Sequence, residues 1–314
     1  MSKLAITLAT AEYDYLRPLR DRQVEPEGID LNLIHVECGA RHSRMMDDRA
    51  YDASEFSMGS YLVARASGVD WMQAIPFFTR KMFAHRFFFV RAGSDVRTPR
   101  DLVGRRVGLL SYQNSLAIFA KAILAHGYGV SLEDVTWVTT GKERVAVPLP
   151  EGVRVERASS QSLERLLLSG EIDALVQPDL PEAWLDGSGR VTRLFTDYER
   201  EERSYHRATG LFPIMHAVVV KQSILDRHPW VATSLYDALA RSRELYSRFM
   251  RESHRLSFAW PPVEEELRFF GKDPFSPGLS ANQHDLMGML DYAREQGLVT
   301  RPLAPQELFT ALRT

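Results

Sequence analysis

Two apolar, aromatic runs, Ile75–Phe78 and Phe87–Val90, enclose Arg80, Lys81, His85 and Arg86. Both runs read as buried strands, and a cationic, imidazole-bearing segment between them is costly unless it meets solvent, a partner or a ligand. The segment is therefore expected to floor a site for an anion. Arg80 suits that role because its fork binds a carboxylate through two hydrogen bonds, although its spacing alone fits a salt-bridged or surface arginine better. His85 and His216 each lie against an apolar strand and, taken singly, read as satisfied core or surface histidines. Glu55 lies near the end of a short strand at 51–56. There is no His-x-x-x-His, no cysteine pair, no Walker loop, no Gly-x-Ser-x-Gly and no dinucleotide fingerprint. No metal site is expected; Glu55, His85 and His216 form only a remote combination for one. Cys38 is the single cysteine. It reads as a small packing residue at a strand end rather than a nucleophile.

Those side chains need a scaffold, and the pattern supplies one. Strands are expected at Leu4–Ala9, Ile29–Val36, residues 51–56, Trp71–Phe78, His85–Val90, Arg106–Leu110, Val135–Val138, Val153–Arg157, Asp173–Val176, Val191–Phe195 and Phe212–Val220. Helices alternate with many of them. The clearest carries Leu116, Phe119, Ala120, Ile123 and Leu124 on one stripe, and a long one spans Val231–Phe249. Alternation of this kind argues an α/β fold with mostly parallel sheets. A short echo, Ala50-Tyr51-Asp52-Ala53 against Glu171-Ile172-Asp173-Ala174, hints at two similarly built lobes. Ligands in open α/β sheets sit beyond the carboxyl ends of the strands. Three such ends carry polar or turn-forming residues: Glu55–Ser60, Ser111–Asn114 and Pro178–Glu182. The first two open helices, whose N-termini offer free N–H groups to an anion, while Ser57 and Asn114 or Ser115 serve equally well as plain caps.

The 314 residues are 45% hydrophobic and 25% charged with a formal net charge of −2. These are ordinary globular values for a chain of two common-sized domains. No long basic or acidic run points to nucleic acid or a membrane surface. Lys3, Leu4–Leu8 and the small residues Ala9–Ala11 imitate a signal peptide, but the apolar run is shorter than the roughly 7–15 residues of an h-region. It reads as a first strand, and a cytoplasmic protein is expected.

Several segments together resemble the 4,5-dihydroxyphthalate decarboxylase family. They are Ala11–Leu31, DASEFSMGSY (Asp52–Tyr61), IPFFTRKMFAHRFFFV (Ile75–Val90), RVGLLSYQNS (Arg106–Ser115), GEIDAL (Gly170–Leu175), TGLFPIMHAVVV (Thr209–Val220) and EQGLVTRPLAPQELF (Glu295–Phe309). The resemblance covers nearly the whole chain. It departs from the family pattern at Ala84, where an arginine often stands, and in Val138–Val147.

The resemblance implies the two-lobed type II periplasmic-binding-protein-like fold, with lobes of residues 1–92 plus 208–314 and of 93–207. Hinges would lie near Val90–Ser94 and Tyr205–Leu211, with the ligand in the cleft between lobes. It implies decarboxylation of a hydroxylated aromatic acid, foremost 4,5-dihydroxyphthalate to 3,4-dihydroxybenzoate, by protonation of the ring followed by loss of carbon dioxide. Such a route calls for an acid, a partner for the phenolic proton and cations for the carboxylates, and for no organic cofactor; a divalent metal is left open. The expected catalytic set is His85, His216 and Glu55, with Arg80, Ser57, Ser60, Tyr112 and Gln113 holding the substrate. The expected partner is a small aromatic carboxylate, and a homo-oligomer is compatible with the reading. The rivals are a non-catalytic cytoplasmic binder or sensor of a small anion, and an enzyme of the same fold with other chemistry.

Overall fold

A computed structural model describes residues 2–158, 162–253 and 260–312. It holds two mixed sheets flanked by helices. The first has five strands in the order β2-β1-β3-β11-β4, with β1 at Leu4–Thr10, β2 at Ile29–His35, β3 at Ala53–Ser57, β4 at Met72–Lys81 and β11 at Ile214–Lys221. The second has six in the order β10-β5-β9-β6-β7-β8. Its strands are β5 (Phe88–Arg91), β6 (Arg106–Leu109), β7 (Thr136–Thr139), β8 (Arg154–Arg157), β9 (Ala174–Val176) and β10 (Val191–Arg193).

The two sheets repeat one plan. β1 pairs in parallel with β2 and β3, and β3 meets the antiparallel β11, which meets β4. Correspondingly, β6 pairs in parallel with β7 and β9, and β9 meets the antiparallel β5, which meets β10. The sequence echo falls on equivalent strands, since Ala53 opens the register of β3 and Ala174 opens β9. The odd strand of each sheet is the one beside a crossing between lobes.

The first crossing comes earlier than the expected boundary at 92. β4 continues through Arg80 and Lys81, the chain makes a 3-10 turn at His85–Phe87, and Phe88 already lies in the second sheet. The run Ile75–Val90 is therefore split between the lobes. The two crossings lie side by side, with Met82 N–H donating to Pro213 O at 3.0 Å.

Strand alternation explains much of the core. Phe77 packs with Val218, Val220 and Leu235 on one face of the first sheet, while Phe78 joins Phe56, Met215 and Phe309 on the other. Each fully buried side chain of this size contributes about 1.5–3 kcal/mol. Among the helices that escaped the pattern reading, two are instructive. Tyr198–Thr209 is polar because most of it faces solvent, and Trp260–Phe270 carries Pro261 and Pro262 in its first turn, a position where proline is well tolerated. Among the described residues no helix is long and apolar enough to cross a membrane.

The lobes touch where two helices, Met58–Ala66 and Ser115–Ala122, present their N-termini to each other. Ser115 Oγ accepts from Gly59 N–H at 2.9 Å and donates to Met215 O at 2.6 Å, and it lies 3.1 Å from Ser57 Oγ. A Cβ on Gly59 would stand 2.7 Å from Gln113 O and 2.9 Å from Ser115 N, so only glycine permits this approach. Gly59→Ala is expected to cost about 1–3 kcal/mol by overpacking, read as a lower denaturant midpoint.

Candidate active site

Glu55 is fully buried on β3, and both carboxylate oxygens are engaged. Oε2 accepts from Ala11 N–H at 2.8 Å and lies 3.2 Å from Arg41 Nη2, while Oε1 accepts from Tyr13 OH at 2.7 Å and meets His216 Nδ1 at 2.5 Å. Arg41 is itself fully buried and donates from Nε to Glu55 O and from Nη1 to Val36 O. Burial alone would raise the Glu55 pKa. The His216 and Arg41 charges and the Ala11 N–H outweigh it and hold the carboxyl well below the usual range. Burial likewise lowers His216, and Glu55 with Cys38 more than restores it, so its imidazole ends above its ordinary value. Nδ1 is fixed on the carboxylate, and the His216 ring lines the cleft beside Cys38.

β4 is shaped to place Arg80 beside that histidine. His216 pairs with Arg80, yet Val218 pairs with Ile75, so β4 holds extra residues between the two rungs. Pro76, which has no N–H for the ladder, lies in that bulge, and bulges re-aim side chains. Alternation then sends neighbouring cations to opposite faces. Arg80 lines the cleft, while Lys81 donates to Pro274 O, Asn282 Oδ1 and Asp285 Oδ2. Arg86 is also spent, donating from Nε to Glu202 Oε1 and from Nη2 to Oε2. Of the four cationic residues in the original stretch, only Arg80 reaches the site.

The cleft holds about 520 Å³. That is ordinary for a small-molecule site, which typically measures about 300–1,000 Å³. Ser57, Ser60, Arg80, His216, Cys38 and His42 line it from the first lobe, and Ser111, Asn114, Lys142, Arg144, Ser162 and Asp179 from the second. Ser57 and Asn114 also cap helices, accepting from Ser60 N–H and Ala117 N–H, so lining and capping coexist.

Three expected site residues lie elsewhere. His85 is buried between the rings of Phe195 and Tyr205, outside the residues that line the cleft, and burial pushes its pKa down to about 4. The 3-10 turn that follows β4 swings it away from Arg80, which strand spacing could not reveal. Tyr112 and Gln113 are likewise buried behind the cleft wall. The Tyr112 ring covers Lys121 Nζ at 3.1 Å from its centroid, and Gln113 Nε2 donates to Val145 O. Glu143 accepts from the backbone N–H groups of both, at 2.6 and 3.2 Å. Together they tie down the loop that carries Lys142 and Arg144.

Other site residues were not foreseen. Arg41, Tyr13 and His42 sit on elements whose faces were not assigned, and Lys142 and Arg144 fall in a loop noted only as a departure. Cys38 opens the Cys38–Asp48 helix with its sulfur 3.8 Å from His42 Nδ1. Burial would raise this thiol, but the imidazoles of His42 and His216 bring it down to about 4. The four-residue spacing of Cys38 and His42 on one helix face was the available signal.

A two-lobed α/β fold with a ligand-sized cleft between lobes is the architecture of the type II periplasmic binding proteins. Solved structures bear this out at the level of fold. The periplasmic aliphatic sulphonate binding protein SsuA from Escherichia coli matches with a TM-score of 0.58 at 12% identity, covering 98% of each chain. A DSZB mutant in complex with biphenyl-2-sulfinic acid matches with a TM-score of 0.54 at 16% identity, covering 98% of this chain and 96% of that one. The family model described as NMT1/THI5 like matches residues 25–160. Among curated proteins, the 4,5-dihydroxyphthalate decarboxylase of Comamonas testosteroni is 31% identical over 98% of this chain and 97% of its own length. That of Pseudomonas putida is 30% identical over 66% of this chain and 83% of its own. The chain belongs to the 4,5-dihydroxyphthalate decarboxylase family, a family of carboxy-lyases.

Proposed function

We propose that this protein decarboxylates a hydroxylated aromatic dicarboxylic acid, with 4,5-dihydroxyphthalate as the substrate and 3,4-dihydroxybenzoate and carbon dioxide as products. The observation that carries the reading is the Glu55–His216 pair opening on a cleft that also presents Arg80, Lys142 and Arg144. Full-length similarity to decarboxylases of that substrate supports it.

Direct loss of carbon dioxide from the ring would leave an aryl carbanion. A hydroxyl para to the carboxylate opens an easier path. His216 Nε2 accepts the hydroxyl proton while Nδ1–H is steadied by Glu55, the arrangement of a general base with a buried carboxylate behind it. Electron density from the phenolate oxygen moves through the ring, and the carbon bearing the carboxylate takes a proton from an acid in the cleft. The dienone then releases carbon dioxide, and the electron pair of the broken C–C bond restores the aromatic ring and the phenolate. His216 returns its proton to that oxygen. One solvent proton is consumed per turnover, and no organic cofactor is called for.

Arg80 on one lobe and Lys142 and Arg144 on the other supply cations for the two carboxylates, so both lobes grip the same molecule. Arg80→Gln removes one of the three and is expected to raise KM for the dicarboxylate by roughly tenfold, the loss of about 1.5 kcal/mol from one charged hydrogen bond, measured by steady-state kinetics. The test of the function itself is carbon dioxide release over a panel of acids. Turnover is expected for 4,5-dihydroxyphthalate and none for phthalate, which has no hydroxyl to push electrons. Release from phthalate at a similar rate contradicts the mechanism; tight binding across the panel without product favours a solute-binding protein.

A further inference from the structure

We propose that Cys38, His42 and His216 bind a divalent first-row metal ion, zinc by ligand type, with one coordination position open to the cleft. The three offer one thiolate sulfur and two imidazole nitrogens, all within 4.8 Å of one another. Cys38 Sγ lies 3.8 Å from His42 Nδ1 and 3.9 Å from its Nε2. Zinc–sulfur and zinc–nitrogen bonds of about 2.3 and 2.0–2.1 Å space tetrahedral ligands about 3.3–3.6 Å apart. A contraction of about an ångström closes the set, which is within reach of side-chain rotation.

Two features beyond proximity point to a metal. Cys38 and His42 are four residues apart on one helix, so both project from the same face. His216 arrives from β11 with Nδ1 already bonded to Glu55, and metal-binding histidines characteristically give their other nitrogen to a carboxylate. Glu55 is in turn fixed by Ala11 and Tyr13, so the outer shell is built. A thiolate with two imidazoles suits zinc, and three protein ligands with a fourth position facing a cavity is the pattern of catalytic zinc rather than structural zinc.

What would occupy the open position rests on the decarboxylase reading. Its substrate carries two adjacent hydroxyls, a chelating pair. An ion here would take the hydroxyl oxygen that His216 otherwise meets and ease its deprotonation as a Lewis acid. His216 would then act as a ligand, with Arg80, Lys142 and Arg144 still holding the carboxylates.

The experiment uses the full chain freed of metal with a chelator and titrated with Co²⁺, a spectroscopic stand-in for zinc. One equivalent is expected to bind, with a thiolate-to-cobalt charge-transfer band in the near ultraviolet that 4-nitrocatechol perturbs. Cys38→Ser should abolish the band, His42→Ala, which removes a direct ligand, should weaken binding by more than the roughly 10–100-fold typical of losing an outer-shell partner, and His85→Ala, outside the cluster, should leave both unchanged. Absence of the band in the unaltered protein, or equal uptake by Cys38→Ser, overturns the site. The band without any effect of 4-nitrocatechol overturns the diol assignment. Carbon dioxide release by metal-free protein that takes up no Co²⁺ sinks the metal and leaves the decarboxylase standing; a cobalt band in a protein that releases none does the reverse.

Discussion

The His216→Asn protein is expected to fold, to bind 4,5-dihydroxyphthalate nearly as well as the unaltered chain, and to turn it over about 10²–10⁴-fold more slowly. Asparagine places an amide N–H close to where Nδ1 stands, so Glu55 keeps its donor and is not left underpaired. What disappears is Nε2, the ring's other nitrogen. Loss confined to kcat identifies a group that acts on the reacting substrate, whereas a rise in KM alone would make His216 a binding residue. The paired control is His85→Phe. His85 sits among aromatic rings with Nδ1 lacking a hydrogen-bond partner, so a phenyl ring suits its surroundings and turnover should stay near the original. Equal losses in both variants would contradict this assignment of roles.

Arg41→Met is expected to lower stability by about 3–5 kcal/mol, the usual consequence of removing one member of a buried ion pair. Arg41 and Glu55 are both fully buried, and Arg41 also donates to two backbone carbonyls. Methionine fills part of the space but leaves these acceptors and the carboxylate short of partners. The pH dependence has a definite sign. Glu55 has a folded pKa below its unfolded one, so its contribution is present above the unfolded carboxylate pKa of about 4.3 and is lost as pH falls through the folded value. Without Arg41 the folded pKa moves up, so the variant should unfold in acid at a higher pH than the original. Urea unfolding at pH 7 and an acid titration followed by circular dichroism check both statements. A change under about 1 kcal/mol would mean the guanidinium is dispensable to the buried network.

The strand pattern was legible because strands buried on both faces read as apolar runs, and most lie within a residue or two of their expected places. The exceptions have physical causes. The bulge at Pro76 carried β4 on to Lys81, so Arg80, expected in a connecting segment, is a strand residue directly opposite His216. The Tyr198–Thr209 helix was concealed because the face it buries is built from Tyr198, Glu202 and Tyr205 rather than from aliphatic residues.

The site was half legible. Glu55, His216, Arg80, Ser57 and Ser60, all expected at the site, come together in the cleft or directly behind it. Arg41 and Tyr13 were not expected, since their partner lies on another strand and nothing local marks a buried arginine. Cys38 was judged on being single, whereas its meaning comes from His42 one turn along and His216 far away in sequence. His85 lies outside the cleft lining for the converse reason: it is close to Arg80 in sequence, and the chain turns between them.

The most direct measurement is a proton NMR time course of 4,5-dihydroxyphthalate with the purified protein in D₂O. The account predicts loss of the substrate's aromatic signal and growth of 3,4-dihydroxybenzoate carrying one deuterium at the carbon that lost its carboxylate, matched one-to-one by carbon dioxide. An unchanged substrate spectrum at saturating protein, with binding shown by line broadening, would contradict it and leave a binding protein in the decarboxylase fold.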